Sequence, residues 1–214
     1  IGVLVFAKTP EALHGLKKLF EDHKLQRTYR AILVGELPEN SGTLLGRVVE
    51  RHAGGPMKVV RHDRDDKGSK SAITHYRVLE RLPGHTVVEV KLETGRRNQI
   101  RVQFADRGFP LLGDIVYGQA SPLIDRQALH AERLAFKHPV GDDVMIGADS
   151  KLPADFESAL KALRTQRRLV RAESGQQGEE GIYKPKERRD RKFVRVERAK
   201  YYAEKEAERE GRAP

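Results

Sequence analysis

The sequence predicts an α+β fold with a mainly antiparallel sheet. Strand-like segments outnumber helical ones, and several follow one another without an intervening helix, which is typical of antiparallel pairing. The clearest pair is Ile73–Leu82 and His85–Glu93, which flank the turn dipeptide Pro83-Gly84 and predict a hairpin. Apolar and charged residues alternate in the second of these segments, so we expect one of its faces to be buried.

The chain begins with a predicted strand and helix. Gly2–Lys8 is a short apolar run, which indicates a buried strand. Thr9 can cap a helix whose first residue is Pro10, since Thr is a favoured N-cap and Pro a favoured first residue. Apolar residues then recur at helical spacing as far as about His23.

Short strands separated by turns are predicted between this helix and the hairpin. The segments are rich in β-branched and apolar residues, and Gly or charged clusters separate them. The predicted strands are Thr28–Glu36, Leu44–Glu50 and Lys58–His62, with a turn around Asn40–Gly42 and loops over Arg51–Gly55 and Asp63–Ser71.

Two further helices and one strand complete the predicted domain. A helix from about Asn98 to Arg107 should end at Gly108, where a left-handed residue can terminate it. A strand is expected at Leu134–Lys137, and a closing helix at Pro153–Leu163.

Composition narrows the class of protein. The 214 residues suffice for one sizeable core, and the net charge of +10 favours a polyanionic partner, nucleic acid first and a membrane surface second. The absence of cysteine excludes disulfides, iron–sulfur clusters and thiolate zinc sites, and fits a cytoplasmic protein. No apolar run approaches the roughly 18 residues needed to span a membrane.

The composition changes after Thr165. From Arg164 onward there are sixteen Lys and Arg against ten Asp and Glu, and few apolar residues. We therefore divide the chain into a folded domain, residues 1–165, and a basic tail, residues 166–214, that is disordered or partly helical. The tail could attract phosphate nonspecifically or serve only to solvate the chain.

A cluster of arginines lies where the hairpin leads into the second helix. Gly95 marks a turn, Arg96 and Arg97 follow it, and Arg101 lies one helical turn beyond Arg97. Guanidinium groups bind phosphates and carboxylates bidentately, so this pattern suits an RNA backbone and one buried carboxylate. A solvated basic turn is the alternative for such a motif in isolation.

Six ordered segments resemble one family, the RluA-like pseudouridine synthases. The match covers roughly residues 1–163, and the Thr-Gly-Arg-x-x-Gln-Ile-Arg motif at Thr94–Arg101 is its most specific part. The matching segments are Val5–Thr9, Lys24–Val34, Leu92–Gln103, Gly113–Gly118, Ala128–Ala131 and Leu134–Pro139.

This resemblance implies a pseudouridine synthase-like mixed sheet with flanking helices and a central RNA cleft. The implied reaction breaks the N1 glycosidic bond of a uridine in ribosomal or, alternatively, transfer RNA, turns the base and rejoins it through C5. The uridine must leave its stack, at a cost of about a few kcal/mol. The resemblance further implies a monomer that needs no metal ion or organic cofactor. We expect no membrane partner.

The resemblance also assigns catalytic residues. Tyr29 matches the tyrosine that faces the base, and Arg101 matches the arginine that pairs with the nucleophilic aspartate. That aspartate belongs to a His-Arg-Leu-Asp segment, which we expect upstream of Ile1, so that the chain is an N-terminally truncated fragment and Arg101 is left unpaired. Asp114 matches a family position that we interpret as structural.

The remaining candidates bind or orient the substrate. Arg96 and Arg97 are predicted phosphate contacts, while Asn98 and Gln99 belong to the same substrate-binding turn. Leu129 is expected to wall the uracil pocket, although core packing explains it equally well. The family usually has His where this chain has Asn98, and often where it has Gln103, so an orienting role replaces acid–base chemistry at both positions.

Other charged residues and histidines receive ordinary structural interpretations. Lys8 and Arg27 could line an RNA channel, but exposed charges are the simpler interpretation. His130 and His138 are expected to be hydrogen-bonded in the core, and no metal site is predicted.

Two alternatives to an enzyme remain open. One is a noncatalytic RNA-binding module that kept the cleft but lost the aspartate. The other is a ribosome-associated protein whose basic tail alone binds RNA.

Overall fold

The computed structural model describes residues 1–50, 55–60, 68–141 and 144–173, and the side chains as far as residue 167. Seven strands form one sheet, in the order β3-β2-β4-β5-β1-β6-β7, and every pairing between neighbours is antiparallel. The strands are β1 Gln26–Val34, β2 Ser41–Glu50, β3 Met57–Val60, β4 Lys70–Leu82, β5 His85–Leu92, β6 Leu129–Lys137 and β7 Met145–Asp149. This confirms the α+β class and the mainly antiparallel pairing.

Three helices accompany the sheet within the described residues: α1 Pro10–Glu21, α2 Gln99–Asp106 and α3 Ala154–Glu173. The predicted start of α1 is confirmed, because the Thr9 hydroxyl accepts a hydrogen bond from the Ala12 amide at 3.2 Å. No helix among these residues is long and apolar enough to cross a bilayer.

The sheet is buried on both faces near its centre. Ala31 and Leu33 of β1 belong to a core cluster with Phe104 of α2, whereas Ile32, between them, belongs to a second cluster with Phe156 of α3. Because neighbouring side chains of a strand point to opposite faces, α2 and α3 lie on opposite faces of the sheet. The α2 face is the one that carries the predicted site.

The predicted strand at Gly2–Lys8 is wrong. Gly2 makes a single parallel bridge to Ala131, and the rest of the segment is irregular. The reason is that β7 pairs with β6 from Arg133 onward and leaves little of that edge free. Leu4 and Phe6 are 78% and 83% exposed, so the run is not a buried strand.

Several boundaries differ from the predicted ones. β6 begins at Leu129 rather than Leu134. β7 was not predicted, because nearly all of its residues are exposed. β1 ends at Val34, since Gly35 takes a positive φ of 95°. α3 continues to Glu173, past the expected domain boundary at Thr165.

Parts of the predicted organisation lie outside the described residues. They are residues 51–54 and 61–67, which include most of the two predicted loops, and the tail from residue 174 onward. The division into residues 1–165 and 166–214 therefore stays a prediction.

The packing of α2 against the sheet can be tested at Phe104, which is fully buried and meets Tyr76 edge-on with ring centroids 5.7 Å apart. We expect Phe104→Ala to lower the free energy of unfolding by about 3–5 kcal/mol, because it removes apolar contacts and leaves a cavity. Urea unfolding followed by circular dichroism measures this. The control Phe6→Ala makes the same deletion at an exposed site, where we expect a change within about 0.5 kcal/mol. Equal effects at the two positions would contradict the packing described here.

Candidate active site

A buried glutamine holds the arginine-rich turn against the sheet. The side-chain oxygen of Gln99 accepts hydrogen bonds from the Thr94 hydroxyl and the Arg96 amide, both at 2.9 Å. Its nitrogen donates to the Ile73 carbonyl at 3.0 Å and the Thr74 hydroxyl at 2.9 Å. Gln99 is 2% exposed, so its amide shapes the turn from inside. A direct contact with substrate stays a prediction.

A second buried glutamine fixes the next turn of α2. Gln103, 3% exposed, accepts from the Thr74 hydroxyl at 2.6 Å and donates to the carbonyls of Ala72 at 2.9 Å and Leu44 at 3.3 Å. These contacts join α2 to both β4 and β2. They support the orienting role expected at this position.

Asn98 links the turn to two residues of the site. It has a left-handed backbone with φ of 54°, a conformation that Asn adopts more readily than most residues. Its side-chain oxygen accepts from Arg101 at 3.2 Å, and its nitrogen donates to the Tyr117 hydroxyl at 3.4 Å. Asn98 is therefore placed to orient Arg101, and its role in binding substrate stays a prediction.

Arg101 forms a bidentate salt bridge with Asp114. Its Nε and Nη2 each lie 2.7 Å from a carboxylate oxygen, and the guanidinium carbon lies 5.1 Å from the centre of the Tyr117 ring. The Arg101 side chain is 15% exposed and that of Asp114 is fully buried. The expectation that Arg101 is an unpaired cation within this chain is wrong.

The surroundings of Asp114 keep its carboxylate ionised. Burial alone would raise its pKa, but the hydrogen bond from Arg101, the backbone amides of Tyr117 and Val116 and the charge of Arg101 outweigh burial, so the pKa is lowered. With both oxygens engaged and no exposed surface, Asp114 cannot act as a nucleophile in this conformation. The structural interpretation of Asp114 agrees with this geometry.

Arg96 and Arg97 are held by contacts with the neighbouring strands, Arg96 with β4 and Arg97 with β2. The Nε of Arg96 donates to the Ser71 carbonyl at 3.0 Å, and its two terminal nitrogens bond no other residue in the described part of the chain. Arg97 is exposed, pairs with Glu50 and donates to the Gly55 carbonyl. Their phosphate contacts stay predictions.

Tyr29 and Leu129 lie at the border of the core cluster on the α2 face. Both are partly buried and pack against it, and that cluster includes Ile100, the neighbour of Arg101. A β-bulge between Thr28 and Tyr29 shifts the pairing of β1 with β6 at this point. Burial raises the pKa of the Tyr29 phenol, and the nearby positive charge of Arg27 opposes the rise. The phenol therefore stays protonated at neutral pH and can donate a hydrogen bond.

Arg27, which could line an RNA channel, was interpreted from the sequence as an ordinary exposed charge. It is half-buried rather than an ordinary exposed charge, and its guanidinium lies against Gly95 and over the Phe20 ring, 5.7 Å from the ring centre. Its position two residues before Tyr29 in the same strand is the signal that could have drawn attention to it.

The two histidines differ from each other. His130 is 1% exposed and its Nε2 lies 3.1 Å from the Ser150 carbonyl, which confirms a hydrogen-bonded core residue. His138 is exposed, so its predicted place in the core is wrong, because it lies where β6 has left the sheet. Within the described ranges, no group of three or more potential ligands is arranged to hold a metal ion.

Comparison with known proteins identifies the family. Residues 1–106, which contain Tyr29, the turn and Arg101, match the family described as RNA pseudouridylate synthase. An uncharacterized RNA pseudouridine synthase of Synechocystis sp. is 40% identical over 166 residues, covering 76% of this chain and 50% of that protein. The chain belongs to the RluA-like pseudouridine synthases.

Further relatives agree with this assignment. Ribosomal large subunit pseudouridine synthase D of Xanthomonas campestris is 38% identical over 177 residues, covering 76% of this chain and 51% of that protein. This pseudouridine synthase-family chain thus spans about half the length of these bacterial relatives.

Two human proteins share the fold. RNA pseudouridylate synthase domain containing 4 superposes with a TM-score of 0.61 at 22% identity, over 73% of this chain and 69% of its own. RNA pseudouridylate synthase domain containing 1 gives a TM-score of 0.60 at 23% identity, over 81% and 76%.

The salt bridge can be tested by Asp114→Asn. We expect the free energy of unfolding to fall by about 3–5 kcal/mol, because the substitution leaves the Arg101 guanidinium buried without its counter-charge. The pKa of Asp114 in the folded state lies below the ordinary value of 3.8. The charge of Asp114 therefore contributes fully to the free energy of unfolding well above pH 3.8, and this contribution is lost as the pH falls through the folded-state pKa. The difference between wild type and variant, measured by urea unfolding, should therefore shrink below pH 3.8.

The control for this experiment is Asp155→Asn. Asp155 also forms a bidentate pair, with Arg126 at 2.7 and 2.9 Å, but its side chain is 43% exposed. Solvent screens such a pair, so we expect a loss below about 1 kcal/mol. A loss at Asp114 no larger than that at Asp155, or one that does not change on acidification, would contradict the assignment.

The role of Gln99 can be tested by Gln99→Met, which keeps the length of the side chain but removes its amide. We expect a loss of at least about 2 kcal/mol in unfolding free energy, since buried partners lose their hydrogen bonds. Amide exchange at Arg96 should also become faster, because its N–H loses its acceptor. Gln26→Met, at an exposed position of β1, is the matched control and should change neither quantity. Unchanged exchange at Arg96 in Gln99→Met would refute this description of the turn.

Proposed function

We propose that this chain is part of an RNA pseudouridine synthase that isomerises a flipped-out uridine in ribosomal RNA. The observation that carries the proposal is the meeting of Tyr29 and α2 on one face of the sheet, since Tyr29 packs against the cluster that contains Ile100, next to Arg101. Because the chain belongs to the pseudouridine synthase family, we interpret this arrangement as part of a site for uridine.

Tyr29 and Leu129 would receive the base. No hydrogen bond joins the Tyr29 hydroxyl to another described residue, so the protonated phenol is available to a substrate, and its ring offers a stacking surface. Leu129 lies beside it on β6, opposite Ala31, and would form an apolar wall of the uracil pocket.

Arg101 would hold the nucleophilic carboxylate, which the proposal takes from outside these 214 residues. In this chain Asp114 already occupies two of its nitrogens, and Asn98 receives a third hydrogen bond. The incoming aspartate would therefore share Arg101 with Asp114 or displace it. The proposal includes no metal ion or organic cofactor.

The substrate assignment rests on the names of relatives. The protein of Xanthomonas campestris and a relative in Pseudomonas aeruginosa, 38% identical, are both named ribosomal large subunit pseudouridine synthase D. We therefore place ribosomal RNA before transfer RNA as the substrate, and propose a monomer that acts in the cytoplasm. The excess of basic residues, +10 overall, suits this partner.

The test is tritium release from ribosomal RNA that carries C5-tritiated uridine, because C5 loses its proton in every turnover. We expect the 214-residue chain to bind this RNA without release, and a protein extended upstream of Ile1 to release tritium. In the extended protein, Tyr29→Phe and Arg101→Lys should slow release by about a hundredfold or more, as expected for groups that position or move protons. Tyr76→Phe and Arg77→Lys are the matched controls.

Each other outcome has a definite meaning. Release by the 214-residue chain would show that the nucleophile lies within it. RNA binding without release by the extended protein would favour a noncatalytic RNA-binding module. Absence of RNA binding by both proteins would refute the proposed function.

A further inference from the structure

Arg27 is a half-buried cation without an acidic partner among the described residues. Its Nε is buried and makes no hydrogen bond, and its guanidinium lies over the Phe20 ring. By contrast, two other partly buried arginines pair with acids: Arg30 with Glu132 at 2.7 Å and Arg101 with Asp114. A buried polar group without a partner is costly and rare in native proteins, so the placement of Arg27 calls for an explanation.

Gly95 leaves the space that the Arg27 guanidinium occupies. A Cβ at position 95 would lie 2.2 Å from Nη1 of Arg27 and 3.1 Å from its guanidinium carbon. Any side chain at this position would push the guanidinium away. The turn that carries the arginine motif is therefore shaped to admit Arg27.

Arg96 brings a second cation to the same place. It directly follows Gly95, and its Nε donates to the Ser71 carbonyl, while no hydrogen bond joins its terminal nitrogens to another described residue. Burial lowers the pKa of Arg27, and the positive charge of Arg96 lowers it further, while Tyr29 opposes the change. The two guanidinium groups thus repel each other across a glycine, and an anion between them would relieve that repulsion.

We propose that Arg27 and Arg96 together bind one phosphodiester group of the RNA, on either side of Gly95. This inference rests on the proposed function. A phosphodiester fits because guanidinium groups bind phosphate oxygens in a bidentate fork. The neighbouring Tyr29 places this phosphate next to the predicted base pocket, so the contact would hold the backbone of the flipped nucleotide.

The test is RNA binding by the 214-residue chain, with a fluorescein-labelled oligouridylate as the probe. We expect Arg27→Gln to weaken binding by about tenfold, as for the loss of a charge-assisted hydrogen bond. The slope of log K against log salt should fall by about 0.7, the value for one phosphate contact on a single strand. Arg77→Gln removes the same charge from the exposed side of β4 and should have a smaller effect on both quantities.

Gly95→Ala tests the site without changing the charge of the chain. Its methyl group would displace the Arg27 guanidinium, so we expect a loss of affinity similar to that of Arg27→Gln. The double variant should bind no more weakly than Arg27→Gln alone, since Gly95 acts through Arg27. Gly147→Ala in β7 is the steric control, because its Cβ would meet only the Ala135 side chain at 3.9 Å.

The outcomes separate this inference from the proposed function. If the wild type binds oligouridylate and Arg27→Gln matches Arg77→Gln, or Gly95→Ala matches Gly147→Ala, the phosphate site is refuted while RNA binding stands. If the wild type does not bind, both proposals fail. If Arg27→Gln does not fold, Gly95→Ala decides the matter by itself.

Discussion

The fixed position of α2 on the sheet depends on two buried glutamine side chains. Gln99 and Gln103 lie one helical turn apart and both contact Thr74. Their other bonds reach the Thr94 hydroxyl and the backbone of β4, β2 and the turn. Each amide has both a donor and an acceptor end, so it can bridge strand carbonyls and hydroxyls that would otherwise be buried without partners. The hydrogen bonds of Gln99 and Gln103 therefore fix the positions of the arginines in the turn and in α2.

A second level of organisation comes from ion pairing around Arg101. Asp114 joins α2 to the loop at Gly113–Gly118, and it also accepts from two backbone amides of that loop. Tyr117 and Asn98 complete the contacts around the guanidinium. A single carboxylate therefore fixes both the loop and the arginine, which makes Arg101 a rigid part of the site rather than a mobile side chain.

The sequence predicted the fold class, the hairpin of β4 and β5 and the capped start of α1, because these depend on local turn chemistry and periodicity. It failed at Gly2–Lys8 and β7, where the competition between two segments for the edge of β6 decides the outcome. That competition is a tertiary effect, and no local pattern encodes it.

The candidate site was likewise predicted only in part. The motif around Thr94–Arg101 drew attention to Arg96, Arg97 and Arg101, but not to the depth at which Gln99 lies or to the pairing of Arg101 with Asp114. Arg27 was interpreted as an exposed charge because its burial depends on Gly95, 68 positions away in the chain. Contacts between distant segments of this kind are visible only in three dimensions.

The side-chain amides of Asn98 and Gln103 affect how the site responds to pH. Neither side chain gains or loses a proton in the range where an imidazole would, near pH 6.5. The donors and acceptors that orient Arg101 and anchor α2 therefore stay the same in mildly acidic and mildly basic solution.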